Sequence, residues 1–280
     1  MLKQRLITAL ILLPLVIGSI LWLPNHIFAI FVGLFACIGS WEWTKFLCTS
    51  NTGRVTVLRL LYVSLVAGIL LASWFFVFRN PQLVDLILVI TVAWWFWAFF
   101  LVIIYPGAGW FHRNLVFKGA AGIFVLVPAW IAQVSLRNDH IGGIELLLYL
   151  LVLIASADTG AYFGGKKWGK NKLAPRVSPG KSWEGVISGL FCVSAIAVIY
   201  SLSLGLHRDD WSNMFVFVGV SVATALFSIV GDLTESLFKR DAGLKDSGTI
   251  LPGHGGVLDR MDSLTSAAPV FLVMLGWFYF

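Results

Sequence analysis

The sequence predicts an all-α, polytopic integral membrane protein of about nine transmembrane helices, N-terminus cytoplasmic and C-terminus outside. Three observations carry that prediction. Of the 280 residues, 59% are hydrophobic and 12% charged, against roughly 25% charged in soluble domains. Apolar runs of about 18 or more residues recur along the chain; they are long enough to cross the hydrocarbon as helices and too continuous for barrel strands. The cations are also sided. With the N-terminus inside, only Arg79, Arg137 and Arg208 of the 20 Lys and Arg fall outside, as the positive-inside rule expects.

Taken in order, the first span covers about 6–24. It follows Met-Leu-Lys-Gln-Arg and resembles a signal sequence, but it lacks a small-residue cleavage site and reads as a retained helix. The second, about 27–44, ends on Trp41-Glu42-Trp43 and so leaves the hydrocarbon early. The third and fourth, about 58–77 and 83–105, are apolar throughout most of their length. The fifth, about 119–135, is short and contains Pro128, which predicts a kink. The sixth, about 142–162, carries Asp158 near its end. The last three cover about 186–204, 213–231 and 262–280. Outer loops are short, so the function belongs within the membrane or at its cytoplasmic face. Cys37, Cys48 and Cys192 lie in or beside apolar runs without CxxC spacing, which argues against a disulfide framework or zinc site.

Two polar stretches interrupt this pattern, both on the cytoplasmic side. The first, Asp158 to Gly185, places Lys166, Lys167, Lys170, Lys172, Arg176 and Lys181 among glycines. Asp158 and Tyr162 are four residues apart and share a helix face. A polybasic segment can simply fix topology or attract anionic lipid. The interleaved glycines, the Asp158/Tyr162 pair and Ser178-Pro-Gly-Lys181-Ser182 point further, to phosphate binding. Gly180-Lys181-Ser182 is not a P-loop, because Pro175 stands where that motif needs glycine.

The second stretch, Gly231 to Ser263, holds Asp232, Glu235, Lys239, Arg240, Asp241, Lys245, Asp246, His254, Asp259, Arg260 and Asp262 between apolar runs. Charge this dense beside a span is costly unless it lines a polar site. If the eighth helix continues, Asp232, Ser236, Lys239 and Arg240 line one face. Asp259 and Asp262 share a face at the start of the ninth. Carboxylates without thiols or clustered histidines favour Mg²⁺ over Zn²⁺. His254 between glycines reads first as a structural hydrogen-bonding residue, and second as a phosphate contact. Ordinary salt bridges would account for some of these charges, but not for the turn glycines and a second basic stretch on the same side. Carboxylates for a metal, cations for phosphates and a place at the lipid boundary together suit phosphoryl or nucleotidyl transfer to an amphiphile.

These residues carry a resemblance. Ser236-Leu-Phe-Lys239-Arg240, Lys245-Asp246, Pro252-Gly-His254-Gly-Gly and Asp259-Arg260-Met-Asp262 resemble the signature of the phosphatidate cytidylyltransferases, or CDP-diacylglycerol synthases. Ser178 to Gly185 and the Asp158–Lys166 region are similar to that family as well. The likeness covers the C-terminal half and fits a bacterial member, which implies residence in the inner membrane. It implies transfer of CMP from CTP to phosphatidate, giving CDP-diacylglycerol and pyrophosphate, and a homodimer that uses Mg²⁺ with K⁺ as a candidate second cation. Nucleic acid is not an expected partner. The resemblance carries the metal-binding role onto Asp232 and Asp259. On the same reading Lys239, Arg240, Lys245, Arg260 and His254 serve phosphates, and Asp246 and Asp262 support ligands. Asp158, Tyr162, Lys166, Ser178, Lys181, Ser182, Glu184 and Ser236 are expected to bind substrate. The expected division is a scaffold and dimerisation region at 1–135 and a catalytic region at 136–280, with cytoplasmic loops 163–185 and 232–261.

Other classes fit less well. A CDP-alcohol phosphotransferase would carry Asp-Gly-x-x-Ala-Arg, which the sequence does not contain. A transporter would place charges near span centres, whereas most here lie at span ends. No serine–histidine nucleophile is evident. None is needed if the acceptor is a phosphate monoester, whose second pKa is about 6.

Overall fold

A computed structural model of the chain describes residues 2–48, 53–107, 114–138, 142–206 and 211–279. The described residues form nine α-helices: α1 (Leu2–Trp22), α2 (Asn25–Leu47), α3 (Gly53–Ala72), α4 (Pro81–Ile104), α5 (Leu115–Arg137), α6 (Gly143–Trp168), α7 (Trp183–Ser203), α8 (Trp211–Asp241) and α9 (Leu258–Tyr279). A π-helical turn, Ser73–Val77, prolongs α3. Seven helices, α2 to α8, are long and apolar enough to cross a membrane, and α1 adds the shorter apolar run Ile7–Trp22. The fold is therefore a polytopic helical bundle. The placement of Arg113 and Arg208 on opposite sides falls outside the described residues.

Helix boundaries differ from expectation in ways that matter. Helix α6 runs on to Trp168, so Asp158, Tyr162 and Lys166 all ride one helix. Helix α8 has 31 residues and continues ten past 231. At 1.5 Å per residue it is about 46 Å long, against a hydrocarbon thickness of about 30 Å, so its polar end must project beyond the apolar layer. Helix α9 starts at Leu258, ahead of 262. The polar segments expected as loops at 163–185 and 232–261 are thus shorter. Lys and Arg in the last turns of α6 and α8 favour such extensions, because cations suit the carbonyl end of a helix.

The remaining described segment of note is a two-stranded antiparallel hairpin, β1 (Lys172–Ala174) and β2 (Ser178–Ser182), where the sequence suggests only a loop. Lys172 pairs with Ser182 and Ala174 with Ser178, with an irregularity between them. The buried Val177 at its turn pins it into a cluster with Leu233, Leu237 and Phe238 of α8.

Packing supplies the frame. Small residues at the α6–α7 interface, Ala157, Gly160 and Gly164 facing Gly185, Ser188 and Gly189, bring these two helices into backbone contact. Lipid is as apolar as leucine, so such contacts rely on van der Waals complementarity rather than expulsion of water. Trp43, Phe46 and Phe238 pack as an aromatic group between α2 and α8. The Trp43 indole N–H donates to Lys118 O at 2.9 Å. At the opposite end, Arg137 is buried and donates to Ile20 O, Leu23 O and the Asn25 side chain, which ties α5 to the α1–α2 turn.

Candidate active site

The polar ends of α2, α5, α6, α7 and α8 meet the start of α9 and the hairpin at one end of the bundle. Helix α8 supplies its floor. Asp232 Oδ1 accepts from Ser236 Oγ at 3.2 Å, one turn on. Asp232 Oδ2 lies 2.6 Å from Lys181 Nζ, which reaches across from β2. Asp158, at the adjoining face of α6, lies within electrostatic range of Lys181, Asp232 and Arg260. Two of the expected substrate residues are therefore joined directly to the expected metal ligand of α8.

Deeper along α8, Lys239 is only 7% exposed and needs partners to be tolerated there. It finds Asp259 Oδ1 at 2.8 Å and Glu235 Oε1 at 3.3 Å. Asp259 is held from several sides. Its oxygens accept the Ser247 N–H at 3.2 and 3.0 Å, and Oδ2 also accepts the Gly256 N–H at 2.8 Å. The latter bond reaches back three residues, as the acidic arm of a capping box does. Burial alone would raise this carboxyl, but the Lys239 ammonium and the two backbone donors hold it below the usual aspartate range. Asp262, one turn on, accepts from the Ser263 N–H at 2.7 Å.

The remaining expected site residues divide by what they touch. Arg240 donates to Val177 O at 3.2 Å and Leu244 O at 3.1 Å, bracing the hairpin turn and the end of α8. Glu184 accepts the Asn171 backbone N–H at 3.1 and 3.2 Å and its side-chain amide at 2.9 Å, which closes the hairpin base. Ser182 caps α7 by accepting from the Gly185 N–H at 3.2 Å. Lys166 sits over the Tyr162 ring at 5.9 Å, with both side chains exposed. Lys245, Asp246 and Arg260 are exposed, and His254 and Ser178 are half-buried.

A cleft of about 190 Å³ opens among α6, α7, α8 and β2. Asp158, Tyr162, Lys181 and Ser182 form its polar part, and Val186, Leu190, Ala225 and Ile229 its apolar wall. It is amphiphilic by construction: a cation and hydroxyl at one end, and aliphatic side chains facing the membrane-spanning region at the other.

Hard carboxylate oxygens suit Mg²⁺, which is usually held by one or two carboxylates together with substrate phosphates rather than by a full protein cage. Among the described residues no group of three or more His, Cys, Asp or Glu is arranged to hold a metal ion. Asp232 keeps acceptor capacity beyond Ser236 and Lys181, since a carboxylate has about four lone-pair sites. Asp259 has its sites engaged by Lys239, Ser247 and Gly256, so it could join a cation only by exchanging one of them.

Three acidic residues not among the expected site residues belong to this end of the molecule, Glu235 beside Lys239 and two more. Glu42 of α2 is fully buried against the loop preceding α9. Asp241, the last residue of α8, pairs with the buried Lys118 of α5 at 2.7 Å. A carboxylate inside an apolar span is the signal by which Glu42 could have been found.

The family model of the cytidylyltransferases matches residues 3–278. The phosphatidate cytidylyltransferase of Pseudomonas aeruginosa is 44% identical over 282 residues, covering 99% of both chains. That of Haemophilus influenzae is 39% identical over 294 residues, covering 100% of this chain and 99% of its own. The Rickettsia typhi enzyme of the same name is 34% identical over 219 residues, 75% of this chain and 90% of its own. With matches that run from end to end, the chain belongs to the cytidylyltransferase family, in the company of the phosphatidate cytidylyltransferases its C-terminal motifs resemble.

Proposed function

We propose that the chain transfers the cytidylyl group of CTP to phosphatidate, giving CDP-diacylglycerol and pyrophosphate, at the cytosolic face of a bacterial inner membrane. The observation that carries this reading is the amphiphilic cleft, where Lys181 and Ser182 face Leu190, Ala225 and Ile229. A lipid phosphate needs both surfaces at once. Its head group meets the cation, and its acyl chains stay beside aliphatic side chains in the bilayer.

The chemistry asks little of a nucleophile. A phosphatidate oxygen, anionic near pH 7, attacks the α-phosphorus of CTP. A new P–O bond forms, the bond from the α-phosphorus to the bridging oxygen breaks, and its electron pair leaves on pyrophosphate. No proton need move. The task is to bring two polyanions together and stabilise charge on the departing group. In this reading Lys181 and Arg260 meet phosphate oxygens, and Lys239 keeps the Asp259 turn in shape behind them. Arg240 and Glu184 act on the hairpin that carries Lys181. A Mg²⁺ ion bound at Asp232 together with the triphosphate would neutralise phosphate charge. Asp259 would be the second carboxylate of that site, with K⁺ as a candidate second cation.

The same reading includes nine spans with the N-terminus inside, and a homodimer assembled through the N-terminal region. Purified protein incubated with labelled CTP, phosphatidate and Mg²⁺ should yield labelled CDP-diacylglycerol in step with pyrophosphate. Absence of a CDP-lipid would refute it.

A further inference from the structure

Glu42 lies more than two hundred residues from the polar loop, yet it is built into it. Its carboxylate is 0% exposed. Oε2 accepts the Leu258 N–H, the first of α9, at 2.8 Å and the Ser247 hydroxyl at 3.2 Å. The carboxylate therefore caps α9 from another helix, where the N-terminal dipole favours an anion. Two glycines make room for it. A Cβ on Gly248 would stand 1.9 Å from Oε1, and one on Gly256 would stand 2.5 Å from Oε2. One turn further along α2, Lys45 Nζ donates to Ser247 O at 2.8 Å. A third tether comes from α1, where Thr8 Oγ1 donates to Pro252 O at 2.9 Å.

The contacts converge on residues that hold Asp259. Ser247 gives its hydroxyl to Glu42 and its backbone N–H to Asp259. Gly256 presses on Glu42 and gives its N–H to Asp259. We propose that Glu42 is a positioning residue for the transfer reaction: acting through Ser247, Gly256 and Leu258, it fixes the Asp259 carboxylate and the start of α9. The proposal rests on the transfer reading and assigns to an N-terminal helix a part of the site that the C-terminal motifs do not contain.

The test uses purified full-length protein and the variants Glu42→Ala, Glu42→Gln, Ser247→Ala and Glu42→Ala/Ser247→Ala. Activity is expressed per folded molecule by size-exclusion recovery. Glu42→Ala should lower kcat by about 10- to 100-fold, the range for residues that orient a ligand through hydrogen bonds, with KM for CTP and phosphatidate unchanged. Glu42→Gln keeps an acceptor for the Leu258 N–H and should recover most of that loss. The double variant should be no worse than the weaker single one. Amide deuterium exchange should rise at 245–258 in Glu42→Ala and stay near wild type in Glu42→Gln. Wild-type kcat in folded Glu42→Ala, additive losses in the double variant, or unchanged exchange at 245–258 would each overturn the proposal. If Glu42→Ala does not fold, Ser247→Ala takes its place: lowered kcat with raised exchange confined to 245–258 supports the proposal, and wild-type values in both overturn it. A wild-type protein that makes no CDP-lipid would instead refute the transfer reading, and exchange would still decide whether Glu42 holds the loop.

Discussion

Replacing Lys181 with alanine removes the cation shared by the cleft and Asp232. The 2.6 Å contact joins side chains that are 26% and 27% exposed, so the pair is neither buried nor freely solvated. Leaving a fully buried charge unpaired costs about 3–5 kcal/mol, while an exposed pair contributes about 1 kcal/mol or less. A quarter-exposed pair falls between, at about 2 kcal/mol of stability. The loss in turnover should be larger. A donor aimed at charge that develops during reaction is worth about 10²–10³ in rate, or roughly 3–4 kcal/mol. The two effects can be separated by adding Asp232→Asn. With the anion gone, the double variant should regain the lost thermal stability in detergent while activity stays at or below that of Lys181→Ala. CDP-diacylglycerol formation from labelled CTP, measured with thermal unfolding of the same preparations, reads both. Lys181→Ala at wild-type kcat/KM would refute the phosphate role. Lys181→Ala at wild-type stability would refute the pairing with Asp232.

Asp259→Asn should abolish turnover and also loosen the loop, because Lys239 is left with Glu235 alone among its charged partners; unfolding in detergent should shift by about 2–3 kcal/mol. The depressed carboxyl of Asp259 gives stability that is full above its unfolded pKa of about 3.9 and lost as pH falls through its lower folded value, so Asp259→Asn should flatten the acid limb of the stability profile. Lys166→Ala should raise the apparent KM for CTP or phosphatidate with folding intact; an unchanged profile for both would return this exposed side chain to a topological role.

Much of the bundle was legible because hydropathy is a local property. The runs that became α3, α4 and α7 need no knowledge of their neighbours. The expected common face of Asp232 and Ser236 appears as a hydrogen bond within α8. The hairpin was not legible. Lys172-Leu-Ala and Ser178-Pro-Gly-Lys-Ser lack strand alternation, and the hairpin is fixed from outside by Arg240 on Val177 O and by Glu184 on Asn171. The role of Glu42 was hidden for a related reason. Its partners Ser247 and Leu258 are 205 and 216 residues away, so only the folded chain brings them together. The motif around Asp259 marked the carboxylate but not that its oxygens are engaged by Lys239, Ser247 and Gly256.

The length of α8 has a mechanical consequence. Asp232 and Arg240 are eight residues apart on one continuous helix, about 12 Å along its axis. A shift of one residue in its register would turn it by about 100° and carry polar side chains into the apolar wall. The helix is therefore a fixed post. The hairpin is lashed to that post at two heights, by Lys181 on Asp232 and by Arg240 on Val177 O, so the helix sets where the cleft's cation stands.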